Sequence, residues 1–242
     1  MNASLVRRWA IAVAAGSALV LAWHAAIDGA LIVPAPPGPM PGATDDEAFA
    51  AFLAWLRGIA LHDLGVRVLA AATFLALAGL GRALTALHPG AEPEAKVRRP
   101  GMATAGAFLV VAGLFGALGQ LVELGGHHAA IVASGSLAPA TTVGLMEFFI
   151  DMVGAAIATS AWAIFGVAAL AGAVATRGRL AVPGAVLGVA LLVMAASRLL
   201  DDPADIADTL LSVTGLGLVP LWALSLFAMG TEHGLPVRLP AA

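Results

Sequence analysis

An all-α integral membrane bundle is the fold class that this chain predicts, and three observations carry it. Of 242 residues, 60% are hydrophobic and 11% charged, against roughly 25% charged in soluble domains. Mean hydropathy is +0.95, more than one core can hide, because a domain of about 240 residues still exposes a quarter or more of its unfolded surface. Uncharged runs of 18 or more residues recur along the chain, long enough for helices that cross ~30 Å of hydrocarbon. No alternating pattern of about ten residues repeats, so a membrane β-barrel is not expected. The solvent, and the first partner, is the lipid bilayer.

Six spans follow in a single domain, at about 9–33, 61–87, 102–124, 143–176, 180–200 and 206–229. In the first, Arg7 and Arg8 precede an apolar run that continues to Val33 with no small-x-small site closing it. It reads as an uncleaved helix rather than a signal peptide. Residues 34–42 (PAPPGPMPG) lack too many amide donors to be helical and form an extended external linker. Thr44 and Glu47 then offer a capping box, with Asp45 and Asp46 in the first turn and Phe49, Phe52, Leu53, Trp55 and Leu56 behind. This segment, up to residue 58, is either a short helix lying on the outer interface or the beginning of the second span, since only Gly58 separates them.

The second span has just 14 uncharged residues between Arg67 and Arg82. It must draw Asp63 and Arg67 toward the membrane, which an i,i+4 ion pair makes tolerable. Gly113, Gly116 and Gly119 give the third span a small-residue stripe, and Gly184 and Gly188 form a GxxxG in the fifth, both suited to close helix approach. The fourth span is entered through Glu147 and Asp151. Gly215, Gly217 and Pro220 interrupt the sixth.

Basic residues orient the bundle, because Lys and Arg collect on the cytoplasmic side of short loops. With six spans and both termini cytoplasmic, nine of the twelve basic residues lie inside, and only Arg57, Arg67 and Arg198 lie outside. Deleting the second span would leave three inside. The expected location is therefore the inner (plasma) membrane of a bacterium, crossed several times.

Twelve of fifteen acidic residues fall at the opposite, external end. Many come at helical spacing: His24 with Asp28; His62, Asp63 and Arg67; Gln120, Glu123 and His127; Glu147 with Asp151; Arg198 with Asp201. Each set lies along one face of its helix. The inner halves of the spans hold almost nothing ionisable, so the pattern predicts an outward-facing polar cavity above an apolar plug. Gln120, Glu123, Glu147 and Asp151 bring more negative character than Arg67 and Arg198 neutralise, which calls for protons, water or a cation. Gly125 and Gly126 before the adjacent His127 and His128 suggest a turn there.

Several function classes drop out. A net charge of −3 gives no basic footprint for nucleic acid. There is no cysteine for thiol chemistry or thiolate metal sites. Neither HExxH, nor a His pair at i,i+4, nor a GxSxG elbow, nor a phosphate loop is present, so no metal or cofactor is assigned. The leading expectation is a membrane protein without enzymatic activity that binds a small polar or cationic ligand, or a partner, at its external face. The alternatives are an intramembrane metal-dependent hydrolase, in which a bound metal activates water, and a proton-coupled transporter relaying through Asp63, Glu123 and Asp151.

The segments LHDLGVRVLAAATFLALAGLGRAL (61–84), MEFFIDM (146–152), AVPGAVLGVALLVMAASRLLDD (181–202) and LVPLWALSLFAMG (218–230) resemble the bacterial six-span membrane proteins grouped as domain of unknown function 4386. The likeness covers residues 9–230 in pattern more than identity. It implies the six-span fold and recurrent acidic positions matching Asp63, Asp151 and Asp201 or Asp202. Val153 stands where family members often carry a histidine. No activity comes with the resemblance.

Overall fold

The computed structural model describes residues 3–28, 44–86, 93–176, 181–199 and 214–232, with residues 37 and 42 singly. Seven α-helices follow in order: α1 (Ala3–Asp28), α2 (Asp45–Thr85), α3 (Pro93–Ala133), α4 (Pro139–Glu147), α5 (Ala155–Ala175), α6 (Ala181–Leu199) and α7 (Val219–Glu232). Pro139 occupies the first turn of α4, where its missing amide has no helical partner to lose. A π-helical segment, Phe148–Gly154, joins α4 to α5 without a break, and a second, Thr214–Leu218, leads into α7. No strand occurs among the described residues.

Among the described residues, five helices are long and apolar enough to cross a membrane: Ser4–Ala26, Asp45–Thr85, Gly101–Ala133, Pro139–Ala175 and Ala181–Leu199. They make this a multi-pass membrane protein by length and composition. The sixth expected span is described from residue 214 onward, and its first part, 206–213, lies outside the described residues, as does the 34–42 linker except for residue 37 and Gly42.

One open alternative is decided and one local expectation changes. Residues 45–58 do not form a separate interfacial helix; α2 runs unbroken through Gly58 from a complete Thr44–Glu47 capping box. The reason is packing: Leu53, Leu56 and Ile59 are buried with Val66, Ala130, Val143 and Met146 in a small core shared with α3 and α4. The turn expected at Gly125–Gly126 is likewise helical, and α3 continues to Ala133. A Cβ added at Gly126 would stand 3.2 Å from Phe149 Cβ and 3.0 Å from an Ile150 carbon. Here glycine lets α3 pass the π segment instead of ending the helix.

The helices close a ring in chain order. Each of α1, α2, α3, α5, α6 and α7 packs on its successor, and α7 packs back on α1. Close approach in the ring rests on glycine. A Cβ at Gly81 would lie 2.5 Å from the Gly106 carbonyl oxygen, and one at Gly106 would lie 2.6 Å from the Gly81 carbonyl oxygen. Gly113 meets the Phe74 carbonyl in the same way. Between α5 and α6, a Cβ at Gly188 would be 2.8 Å from the Gly166 carbonyl oxygen. The GxxxG of the fifth span is therefore a contact surface, as small residues are where lipid offers no hydrophobic drive between helices. One end of the ring is filled by Val6, Ala10, Val13, Leu77, Leu80, Leu84, Leu109, Leu187 and Trp222, all buried.

Two glycine classes should separate on substitution. Gly81→Ala and Gly106→Ala, which force side chain onto backbone, should each destabilise by about 1–3 kcal/mol. Gly125, with nothing within 4 Å of an added Cβ, should accept Ala with a gain of up to ~1 kcal/mol. Thermal unfolding of the detergent-solubilised variants reads the difference, and equal effects at the three positions would contradict the α2–α3 contact.

Candidate functional site

The polar residues of the second and third spans meet one turn apart on facing helices. Arg67 Nε donates to Asp63 Oδ1 at 2.8 Å across one turn of α2, and Arg67 Nη1 donates to Glu123 Oε2 of α3. On the other side of the same carboxylate, His127 Nδ1 lies 2.7 Å from Asp63 Oδ2. A carboxylate only accepts, so this nitrogen carries the proton. Asp63 is 8% exposed. Spacing explains the assembly: Asp63 and Arg67 share a face of α2, while Glu123 and His127, one turn apart on α3, reach the same two groups.

An isolated charge in apolar surroundings costs about 2.5–3.5 kcal/mol on insertion scales. Here two carboxylates share one guanidinium, and the imidazole supplies a further donor. Of the excess negative charge expected from the sequence, the guanidinium offsets one of the cluster's two carboxylate charges. Glu147, counted in that excess, is exposed on α4 and does not join it.

Next to the cluster, in the middle of the ring, lies a cavity of about 370 Å³. All the ring helices and both π segments contribute to its wall. Its polar lining comprises Ser17 and His24 of α1, Thr73 of α2, Gln120 and Glu123 of α3, Thr159 of α5, Arg198 of α6 and Thr214 of the second π segment. Its other end is apolar: Val13, Leu77, Phe165, Leu191, Met194 and Val219 line it and belong to the buried core. The Phe165 ring meets Trp222 edge-on at 5.3 Å between centroids. The cavity is therefore polar at the charged end and closed by packed hydrocarbon at the other.

Three polar groups in this wall have distinct standing. Arg198 is exposed and lies over the Trp162 ring at 5.9 Å, a cation–π geometry. Thr159 is 7% exposed. Thr214 is 2% exposed, and its Oγ1 has no hydrogen-bond partner among the described residues. A buried hydroxyl left unpaired costs about 1–3 kcal/mol, so this one calls for a partner. π-helical insertions are frequent at functional sites, and both of those here face the cavity, through Ile150 and Thr214.

The sequence-derived site residues divide accordingly. His24, Gln120, Glu123 and Arg198 stand in the cavity wall. Asp63, Arg67 and His127 form the charge cluster that reaches the wall through Glu123. His62 is half-buried on α2 but lines no part of the cavity, because it sits about 100° around the helix from Asp63. Glu147 is exposed and apart. The side chains of Asp28 and Asp151, and the whole of Asp201, lie outside the described residues. Among the described residues, no group of three His, Asp or Glu side chains is placed to hold a metal ion.

Thr159 and Thr214 escaped the sequence reading, which followed ionisable groups and passed over hydroxyls inside apolar runs. The available signal for Thr214 was its place beside Gly215, Gly217 and Pro220, the one interruption of the sixth span. Comparison of the chain with protein families, curated proteins and solved structures finds no match. The likeness to the six-span family rests on the quoted segments alone.

The shared guanidinium makes a specific order of stabilities. Arg67→Leu should cost about 3–5 kcal/mol, as when one partner of a buried ion pair is removed. Adding Asp63→Asn should restore only part of the loss, since Glu123 remains stranded, and adding Glu123→Gln as well should restore most of the rest. Unfolding midpoints of the single, double and triple variants measure this, and strict additivity would rule out the three-way cluster.

Proposed function

We propose that the chain is a six-span protein of a bacterial plasma membrane, with both termini cytoplasmic, that binds a small ligand from the external side in the cavity at the centre of its helix ring. It acts as a binding protein rather than an enzyme. The observation that carries this reading is the convergence of polar side chains from separate helices on one end of a single cavity whose other end is core. Pockets with a largely apolar wall and a few convergent polar groups are the usual form of small-molecule sites, and about 370 Å³ falls at the small end of their ~300–1,000 Å³ range.

Sidedness follows from charge. Nine of twelve basic residues gather at one end in the six-span arrangement, which makes that end cytoplasmic and turns the Asp63 cluster and the polar mouth outward. The packing of α7 on α1 supports a sixth span that completes the ring, and the family resemblance supports the same order. Because Arg67 and Arg198 stand against the two carboxylates Asp63 and Glu123 at this end, the site offers hydrogen bonds more than uncompensated negative charge. That favours a ligand with a polar end over a bare cation.

The absence of native cysteine allows a direct test. Ala158→Cys, in the cavity wall, and Ser136→Cys, between α3 and α4, should react with a membrane-impermeant methanethiosulfonate added outside sealed vesicles, whereas Gly178→Cys should react only from within. An Ala158→Cys protein that reacts only from the cytoplasmic side, or from neither, would overturn the reading.

A further inference from the structure

We propose that the ligand is a small uncharged amphiphile of about a dozen non-hydrogen atoms in all, with one hydrogen-bonding head, such as a hydroxyl or carbonyl, on a hydrocarbon body. This rests on the binding reading above and names its substrate class. The division of the cavity wall carries it. At the core end, Val13, Leu77, Phe165, Leu191, Met194 and Val219 offer nothing to a polar group. A ligand reaching them has a hydrocarbon body. The volume of about 370 Å³ holds roughly a dozen atoms or groups the size of a water, at ~30 Å³ each.

The head is specified by what the other end still lacks. Its carboxylates are engaged with Arg67 and His127, and its second cation, Arg198, is stacked on Trp162. Among the described groups of this end the two carboxylates, Asp63 and Glu123, are matched by two guanidiniums, Arg67 and Arg198, so a charged head meets no net counter-charge and would lose its hydration. Hydrogen-bonding capacity, by contrast, is left over: Thr214 Oγ1 is buried with no partner among the described residues, and Thr159 is buried in the same wall. A hydroxyl or carbonyl satisfies such a group without adding charge. The head therefore sits between the two π-flanked elements, and the body points to the core.

The n-alkanols test this on the full chain in lipid nanodiscs, with modification of Ala158→Cys by a methanethiosulfonate as readout. Protection should improve about fourfold for each added methylene, the value of one buried CH₂. It should stop improving near a dozen non-hydrogen atoms, although partition into lipid continues to rise with length. The alkylamine and alkanoate of the best length should protect at least tenfold less well than the alkanol. Thr214→Val should weaken alkanol protection roughly threefold to tenfold, the range of one net hydrogen bond, without moving the length limit. Thr159→Val gives a second reading should the first variant fold poorly. Protection that follows lipid partition with no limit, or that is stronger for the amine or the carboxylate, would overturn the proposal. If Ala158→Cys is modified from outside in sealed vesicles but no alkanol protects it in nanodiscs, the ligand class is wrong and the binding site stands. If it cannot be modified from outside at all, the site reading fails first.

Discussion

Arg67 is a cation held within an apolar helix bundle by two carboxylates on two helices, and the geometry of the polar end depends on it. Asp63 is its neighbour by helical spacing and Glu123 by tertiary contact. Without the guanidinium, α2 and α3 would present two like charges to each other in a medium that screens them poorly. With it, the same charges join the helices. His127 completes the cluster from α3 and fixes the second oxygen of Asp63. Glu123 thereby stands both in the cluster and in the cavity wall, so the position of the wall is set by an ion pair of which Glu123 reaches the cavity and Arg67 does not line it.

The opposite half of the α2–α3 contact obeys a different physics. Between Gly81, Gly106 and Gly113 the two backbones approach until no Cβ fits, and dispersion and close packing replace charge. One pair of helices is thus joined by charge at one end and by the absence of side chains at the other. The cavity opens where the ring turns from the first regime to the second. Large side chains such as Phe74, Trp162 and Phe165 line it there, and both π segments adjoin it, adding backbone where a regular helix would have continued the close contact.

Much of this was legible in the sequence because it is written in local spacing. The capping box at Thr44 and Glu47, the Asp63–Arg67 pair, the long apolar spans and the GxxxG at Gly184 and Gly188 are all relations within one or two helical turns. What was not legible depends on residues far apart. The sequence left open whether α2 passes through Gly58 and suggested a turn where α3 passes through Gly125 and Gly126, because Leu53, Leu56, Ala130 and Met146 share a core that no single segment announces. The sequence reading weighted Glu147 with Glu123, yet only Glu123 finds Arg67, since Glu147 lies on the exposed face of a separate short helix. Thr159 carries no signal until the ring closes, and Thr214 only its place beside Gly215, Gly217 and Pro220, because a threonine in an apolar run ordinarily returns its hydroxyl to its own helix. Thr73 and Thr142 do so, bonding the carbonyls of Leu69 and Ala138.

The central claim is that one guanidinium holds the polar ends of α2 and α3 together while glycine packing holds the rest. Spin labels at the exposed positions Leu61 and Val132, beside the cluster, and at Leu75 and Val111, beside the glycine contact, measure both ends by pulsed electron resonance in nanodiscs. The account predicts that Arg67→Leu lengthens and broadens the Leu61–Val132 distance distribution and leaves Leu75–Val111 unchanged. A Leu61–Val132 distribution that is the same with and without the guanidinium would contradict it.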